Sequence, residues 1–510
     1  MQPMEVPLPM RKNRLSPRLA LSAIGAAAAL LLAGCSLTPT YERPQAPIAT
    51  QWPDQTTSGA SVHSAAEALA SADIAWRDFF QDAQLQQLIA LALQNNRDLR
   101  IAVLNIEQAR AQYRIQRADQ LPTIGLGASQ SRQSPGNGSG GSDGDSGGGG
   151  IASVAVGGLS LNAFELDFFG RVSALSEAAQ ARYLATTEAR KTVHISLIAS
   201  VASSYLGWLA DNELLALTRE TLNTREESLK LTKLRFDNGV SSELDYAQSL
   251  ALHEAARATL AQAQRQRALS ENALTLLIGQ PLPAKLPAST MRLSSAAVLA
   301  DVPEGLPSDL LERRPDIRQA EQQLLAANAQ IGAARAAFFP RISLTGSLGR
   351  ASTGLTGLFS SGDSVGAWSW AGQLAMPLFD AGRNQAGLEV AQTQRDIAIA
   401  QYEKTVQSAF REVADALAGR ATLGEQLAAQ KAQAQAQANA FRLADLRYQN
   451  GVANYLEVLD AQRALFATQQ AVTQTALAQR QNQVALYKAL GGGWNAEAVL
   501  PAAVPGVAAL

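Results

Sequence analysis

Apolar and polar side chains alternate along two parts of this chain, and each part doubles back on itself. Ile124, Leu126 and Ala128 alternate with Gly125 and Gly127, and Ile342, Leu344, Gly346 and Leu348 alternate with Ser343, Thr345 and Ser347. Gly- and Ser-rich connections follow at 134–150 and 351–364. A second alternating run then returns, clearest as Trp368, Trp370, Leu374, Met376 and Leu378 with small or polar residues between. A period of two over about ten residues, with aromatic ends, is the strand pattern of a membrane barrel. A soluble hairpin with one dry face also produces it. The two hairpins are expected over 121–168 and 341–379.

Between these runs the pattern is helical. Segments 83–118 and 308–337 read as helices before each hairpin, and a much longer one follows each. Arg171 to Phe236 contains no proline and one glycine, Gly207, and Arg383 to Tyr448 again has no proline. A 66-residue helix is about 99 Å long, far beyond the three or four turns usual in globular domains. Leu215, Leu222, Leu229 and Phe236 recur every seven residues, a coiled-coil seam. After Asn-Gly-Val the chain reverses into another helix, where Ala247, Ala251, Ala255, Ala258 and Ala261 form a small-residue stripe.

The order of parts occurs twice because the chain is duplicated. LRFDNGV at 234–240 returns as LRYQNGV at 446–452, an offset of 212. Gly170-Arg171 and Gly382-Arg383 share that offset, while Leu121-Pro122 and Phe339-Pro340 lie 218 apart. A constant offset that changes once marks a duplication with one altered loop length. The repeats span 76–285 and 308–490, joined by a linker at 286–307 and followed by a tail at 491–510. Each is a strand hairpin, long helices and a turn at Gly239 or Gly451. Four strands cannot close a barrel, and open edges are not tolerated in hydrocarbon. Two chains would give eight strands with a filled interior, and three would give twelve with a lumen.

Composition narrows the function. Basic and acidic residues nearly balance, 43 against 44, and no basic cluster lies beyond the extreme N-terminus, which argues against a nucleic-acid partner. His63, His194 and His253 stand alone, without metal-ligand spacing. No nucleophile–base set or phosphate loop appears, so an enzyme is not expected and no cofactor is implied. Residues 1–34 have the form of a signal peptide, with Arg11, Lys12, Arg14 and Arg18 ahead of an apolar run from Leu19 to Leu32. That run ends in Leu-Ala-Gly-Cys, which resembles the bacterial lipobox. The single cysteine, Cys35, stands where lipid would be attached, and 35–75 follows as a Pro-rich extended linker.

The chain resembles the TolC-like outer-membrane efflux factors, in particular the lipoprotein branch that includes OprM and NodT. The carriers are the lipobox, Trp-Arg-Asp-Phe-Phe-x-Asp from Trp76 to Asp82, and Leu-Leu-Glu-Arg-Arg-Pro-Asp-Ile-Arg from Leu310 to Arg318. To these add Gly451-Val452 running into Tyr-Leu-Glu-Val-Leu-Asp-Ala-Gln-Arg, and Ala-Leu-Gly-Gly-Gly-Trp ending at Trp494. The resemblance covers essentially the whole mature chain. It implies a mainly α fold with a transmembrane β-barrel, twelve-stranded in a homotrimer and continuous with a periplasmic α-helical barrel. It also implies a periplasmic adaptor and an inner-membrane pump of the resistance-nodulation-division class as partners, beside outer-membrane lipid.

Leu456, Asp460 and Arg463 stand at i, i+4 and i+7, on one helical face just past the second tip. The resemblance assigns these positions to a periplasmic gate, an apolar constriction with an acid–base network between subunits. A solvated helix face with Asp460 and Arg463 as an i,i+3 pair accounts for the same spacing. Asp245 and Glu457 each fall six residues after a tip glycine. In a trimer they would make a ring of six carboxylates, a cation-selective constriction. The expected function is the outer-membrane channel of a tripartite efflux system. A type I protein-secretion duct of the same architecture and a pore-less periplasmic structural lipoprotein are the alternatives.

Overall fold

A computed structural model describes residues 36–45, 47–49, 74–133, 152–283, 293, 314–360 and 362–493. The signal peptide, Cys35, most of the linkers, the Gly-rich insert at 134–150, Leu310–Arg313, Trp494 and the tail beyond it lie outside these residues. Helices α1 (Trp76–Phe79), α2 (Ala83–Asn95) and α3 (Arg97–Ala118) lead into strands β1 (Ile124–Gln133) and β2 (Ala152–Leu166). Helices α4 (Arg171–Asp237) and α5 (Glu243–Ile278) complete the first repeat. The second runs through α6 (Pro315–Ala336), β3 (Arg341–Ser352), β4 (Val365–Ala375), α7 (Arg383–Gln449) and α8 (Tyr455–Ala489). Both long helices contain 67 residues, and they begin 212 positions apart. Between β3 and β4 the chain forms a 3₁₀ turn, Leu355–Phe359.

The segment expected as one helix over 83–118 is two. Asn96 ends α2 by donating its N–H to the Ala92 carbonyl, and its side chain then accepts from the Leu99 N–H to start α3. Its amide also reaches the Leu277 carbonyl at the end of α5. One asparagine therefore serves three helix ends, which periodicity cannot reveal.

The chain divides into two compact units, and these are not the two repeats. One unit takes Ala109–Tyr183 and Gln323–Ala398, with the described residues up to Arg43. The other takes Pro44–Gln108, Leu184–Gln322 and Ile399–Leu510. The physical reason is strand pairing: the hairpins of both copies share one antiparallel sheet in the order β1-β2-β3-β4, so each repeat contributes to both units.

Within the sheet unit, Glu165 at the end of β2 accepts two bonds from Arg171 at the start of α4, at 2.8 and 2.7 Å. It also lies 3.3 Å from Arg341 at the start of β3. Asp167 accepts from the Ser173 N–H and Asp380 from the Asn384 N–H, so each long helix begins on an aspartate. The first described residues are held along α6. Arg335 donates to the Leu37 carbonyl and Asn328 to the Pro39 carbonyl, while Thr38 lies where a side chain at Gly332 would be.

The helical unit has the larger core. Phe79 stacks on Tyr487 at 3.9 Å, and Asp82 caps α2 while accepting from the Tyr205 hydroxyl at 3.1 Å. This accounts for the Trp-Arg-Asp-Phe-Phe-x-Asp motif: its apolar members are buried and its last acid starts a helix. Arg314 is buried too, paired with Asp316 at 2.7 Å and Glu412 at 2.8 Å, and it donates to the Ala489 carbonyl. The most apolar stretch of α4 has the length and composition of a membrane span, but 67 % of it is buried among the chain's own side chains. The alanine stripe 247–261 of α5 faces outward, whereas Ser249, Leu252 and Ala256 make the helix's internal contacts.

His194 on α4 is buried, and burial, with a smaller contribution from the Arg190 cation, holds its imidazole down at about 4 against an ordinary 6.5. Below pH 6.5 the unfolded chain takes up a proton that the folded chain refuses, so stability falls with pH until about 4, by at most about 1.4 kcal/mol per unit per chain. Denaturant titrations from neutral pH downward should show this slope in the wild type and lose most of it in His194→Gln.

Candidate functional site

Two features of the chain are candidates for function, one in each unit. The first is a face of the sheet. Residues directly opposite one another in antiparallel strands point the same way. Leu126, Leu159, Leu348 and Trp368 therefore form one row across all four strands, and Ile124, Leu161, Gly346 and Trp370 the next. Most of these apolar side chains are exposed, Leu126 at 84 % and Trp368 at 72 %. The opposite face carries Gly125, Ser160, Ser347 and Ser369 in one row, with the two serine hydroxyls of β3 and β4 at 2.8 Å, and Gly127, Gly158, Gly349 and Ala367 in another.

A β-bulge keeps the apolar face continuous. Leu161 pairs with Gly346 but Phe164 with Leu344, so β2 holds one residue more than β3 between these points. Without it, Phe164 and Leu166 would turn to the polar side. The extra residue sits at Ala163, whose φ of 45° is left-handed, and its N–H donates to Thr345 Oγ1 at 3.2 Å.

The second candidate is the pair of helix reversals. Asn238 N–H donates to Leu234, Gly239 to Phe236 and Val240 to Arg235. Asn450, Gly451 and Val452 repeat these bonds to Leu446, Tyr448 and Arg447. Both glycines have φ of 71°. This is the Schellman arrangement, in which a left-handed residue lets two N–H groups satisfy the last helical carbonyls. The Asn238 and Asn450 side chains each add a bond to the carbonyl four residues back, at 2.7 Å.

The expected tip acids stand at the third position of the next helix. Asp245 closes a capping box with Ser242 and accepts from the Ser241 hydroxyl at 3.1 Å. Glu457 donates its N–H to the Asn454 side chain that caps α8, and its carboxylate lies 3.8 Å from Arg447. The sequence reading missed this helix-starting role, although Ser-x-x-Asp and Asn-x-x-Glu are its signatures.

The gate candidates lie on the exposed side of α8. Leu456 is 46 % exposed, and Arg463 pairs with Asp460 of the same chain at 3.6 Å. The buried side of the same helix packs as Tyr455, Val458 and Leu459 against Leu252, with the Tyr455 hydroxyl 3.2 Å from that of Ser249. Near the tips, Arg235 lies over the Tyr448 ring at 4.7 Å, and Phe236 stacks on Tyr246. No group of three or more His, Cys, Asp and Glu side chains among the described residues could hold a metal.

Residues 88–280 and 306–492 match the family model described as outer membrane efflux protein. The chain belongs to that family. It is 49 % identical over 470 residues to the probable efflux pump outer membrane protein TtgC of Pseudomonas putida, covering 92 % of this chain and 95 % of that protein. To outer membrane protein OprJ of Pseudomonas aeruginosa it is 45 % identical over 474 residues, with the same shares covered. Among solved structures, the open-state MtrE outer membrane channel of Neisseria gonorrhoeae superposes with a TM-score of 0.77 at 40 % identity, covering 90 % of this chain and 98 % of that one. The chain is accordingly an outer-membrane efflux channel, and its apolar sheet face is the lipid-facing side of the barrel.

A side chain built at Gly239 or Gly451 meets nothing within 4 Å, so alanine there costs only the left-handed backbone. Gly239→Ala and Gly451→Ala should each destabilise the chain by about 1 kcal/mol, and since Arg235 of one reversal lies over Tyr448 of the other, the double variant reports the coupling between them. Denaturation midpoints of the two single variants and the double variant check this.

Proposed function

We propose that three copies of this chain close a twelve-stranded barrel and form the exit duct of a tripartite pump. An inner-membrane transporter of the resistance-nodulation-division class and a periplasmic adaptor would deliver small organic molecules to it. The observation that carries the reading is the apolar face running across four strands whose outer edges, on β1 and β4, are unpaired among the described residues. Backbone groups on those edges need partners in hydrocarbon, and another copy of the same sheet supplies them. Three copies give a lumen, and the Gly, Ser and Ala rows on the opposite face leave it open. Relatives named as toluene and antibiotic efflux pump proteins support small organic molecules as the cargo.

Lipid on Cys35 belongs to the same proposal. The residues after it are clamped to α6, which leads directly into β3, so the anchor would lie beside the base of the sheet. In the helical unit, Leu456, Asp460 and Arg463 would narrow the periplasmic mouth, with Asp245 and Glu457 adding negative charge around it. The adaptor and pump would open it by binding the outward-moved helices more tightly than the closed ones.

Chemical cross-linking in detergent should stop at three chains; a stable monomer contradicts the proposal. Cys35→Ser should abolish incorporation of labelled fatty acid, yet leave a protein that still inserts. Asp460→Ala or Arg463→Ala should raise single-channel conductance in planar bilayers and make cells leakier to large antibiotics, while Glu457→Gln mainly lowers cation selectivity. Unchanged conductance with normal export would make Asp460 and Arg463 a solvated face.

A further inference from the structure

The lipid-facing side of the sheet carries charge in a way that the channel reading does not use. On β1 that side runs from Ile124 through Leu126 to Arg132, and on β3 from Ile342 through Leu348 to Arg350. Arg132 stands opposite Ser153, and Arg350 opposite Gly157 and Gly366. Among the described strand residues these two arginines are the charged side chains on this side, and no carboxylate shares it. Glu165 is in register with Ser343 and so turns to the opposite face. Both arginines are exposed, and among the described residues neither makes an ion pair or a side-chain hydrogen bond. Asp363, in the connection between β3 and β4, is exposed and pairs with neither.

Both cations sit at one end of the strands. The helices join the sheet at the other end, through Ile124, Leu166, Arg341 and Ala375. In a channel whose helices lie in the periplasm, the arginine end belongs to the outer leaflet of the outer membrane. An arginine just past the last apolar row lays its stem along that surface and holds its charge at headgroup level. The 3₁₀ turn Leu355–Phe359 lies on the same side. Leu358 is only 6 % exposed, and a side chain at Gly157 would meet its Cδ1 at 3.2 Å. On that turn Phe359 stays 85 % exposed and Leu355 47 %. The arginine rim thus adjoins an apolar turn on the sheet and follows the row of Leu348 and Trp368.

We propose that this rim binds a phosphorylated glycolipid of the outer leaflet, an acylated disaccharide of the lipid A kind. A guanidinium takes phosphate oxygens in pairs, and two free guanidinia on a face without acids suit a headgroup with two phosphates. The acyl chains would lie along the Leu126, Leu348 and Trp368 row and against the turn, with the indole at the interface. The inference rests on the sheet facing lipid and is independent of the number of copies and of the gate.

The test is native mass spectrometry of the purified full-length protein in detergent, titrated with diphosphorylated lipid A, with the same lipid stripped of its phosphates, or with phosphatidylglycerol. The wild type should bind the diphosphorylated form in preference to the other two. That preference should fall about tenfold or more in the double variant Arg132→Gln/Arg350→Gln. It should persist in Arg383→Gln, which removes an exposed cation outside the sheet. Equal binding of the phosphorylated and stripped lipids, or a preference untouched in the double variant, would make the two arginines solvated and overturn the site. Phosphatidylglycerol bound as tightly as lipid A, and lost in the same variant, would overturn the glycolipid as its occupant.

Discussion

A β-strand carries a donor and an acceptor at every residue, and inside hydrocarbon there is no water to satisfy them. Among the described residues, the sheet meets that constraint for β2 and β3 and leaves it open for one side of β1 and one side of β4. Its apolar rows make the demand sharper. Leu126, Leu159, Leu348 and Trp368 present a continuous greasy face that water would not tolerate, so the sheet belongs in lipid, where its edges are least affordable alone. The need for further copies thus comes from the backbone. The bulge at Ala163 and the small residues on the other face are consequences: the first keeps the lipid side unbroken, the second leaves space inside the closed ring.

The helical ends are governed by local backbone chemistry too. Each reversal satisfies its last carbonyls through a left-handed glycine and starts the next helix with a side-chain cap, and both copies use the same bonds. The two tip acids are drawn into that scheme unequally. Asp245 is held by Ser241 and Ser242, whereas the Glu457 carboxylate reaches Arg447 across the turn. Two copies of one unit have diverged at the same position.

Much of this was legible in the sequence because it depends on period and punctuation. Alternation marked the strands, the absence of proline marked the 67-residue helices, and Asn-Gly-Val marked both reversals. What escaped depends on which residues meet in space. Asn96 breaks a helix that periodicity joins, since its cap needs only one side chain. The alanine stripe of α5 faces outward because Leu252 and Ala256 occupy the inner side. The repeats did not foretell the compact units, because sheet pairing joins their hairpins. For the gate candidates, helical spacing placed Leu456, Asp460 and Arg463 on one face, while the same-chain ion pair needed coordinates. Arg225 gave no signal at all: in a polar stretch of α4 it reads as one more solvated arginine, yet it is buried, donates to the Leu252 carbonyl and lies over the Phe466 ring.

The central claim is that copies of this sheet complete one another's edges. Amide hydrogen exchange of the assembled protein in lipid nanodiscs measures this strand by strand. The outer amides of β1 and β4 should exchange as slowly as those of β2 and β3, whose partners lie within the chain. Fast exchange along β1 and β4 beside a protected β2 and β3 would show edges left open, and would contradict a barrel closed between chains.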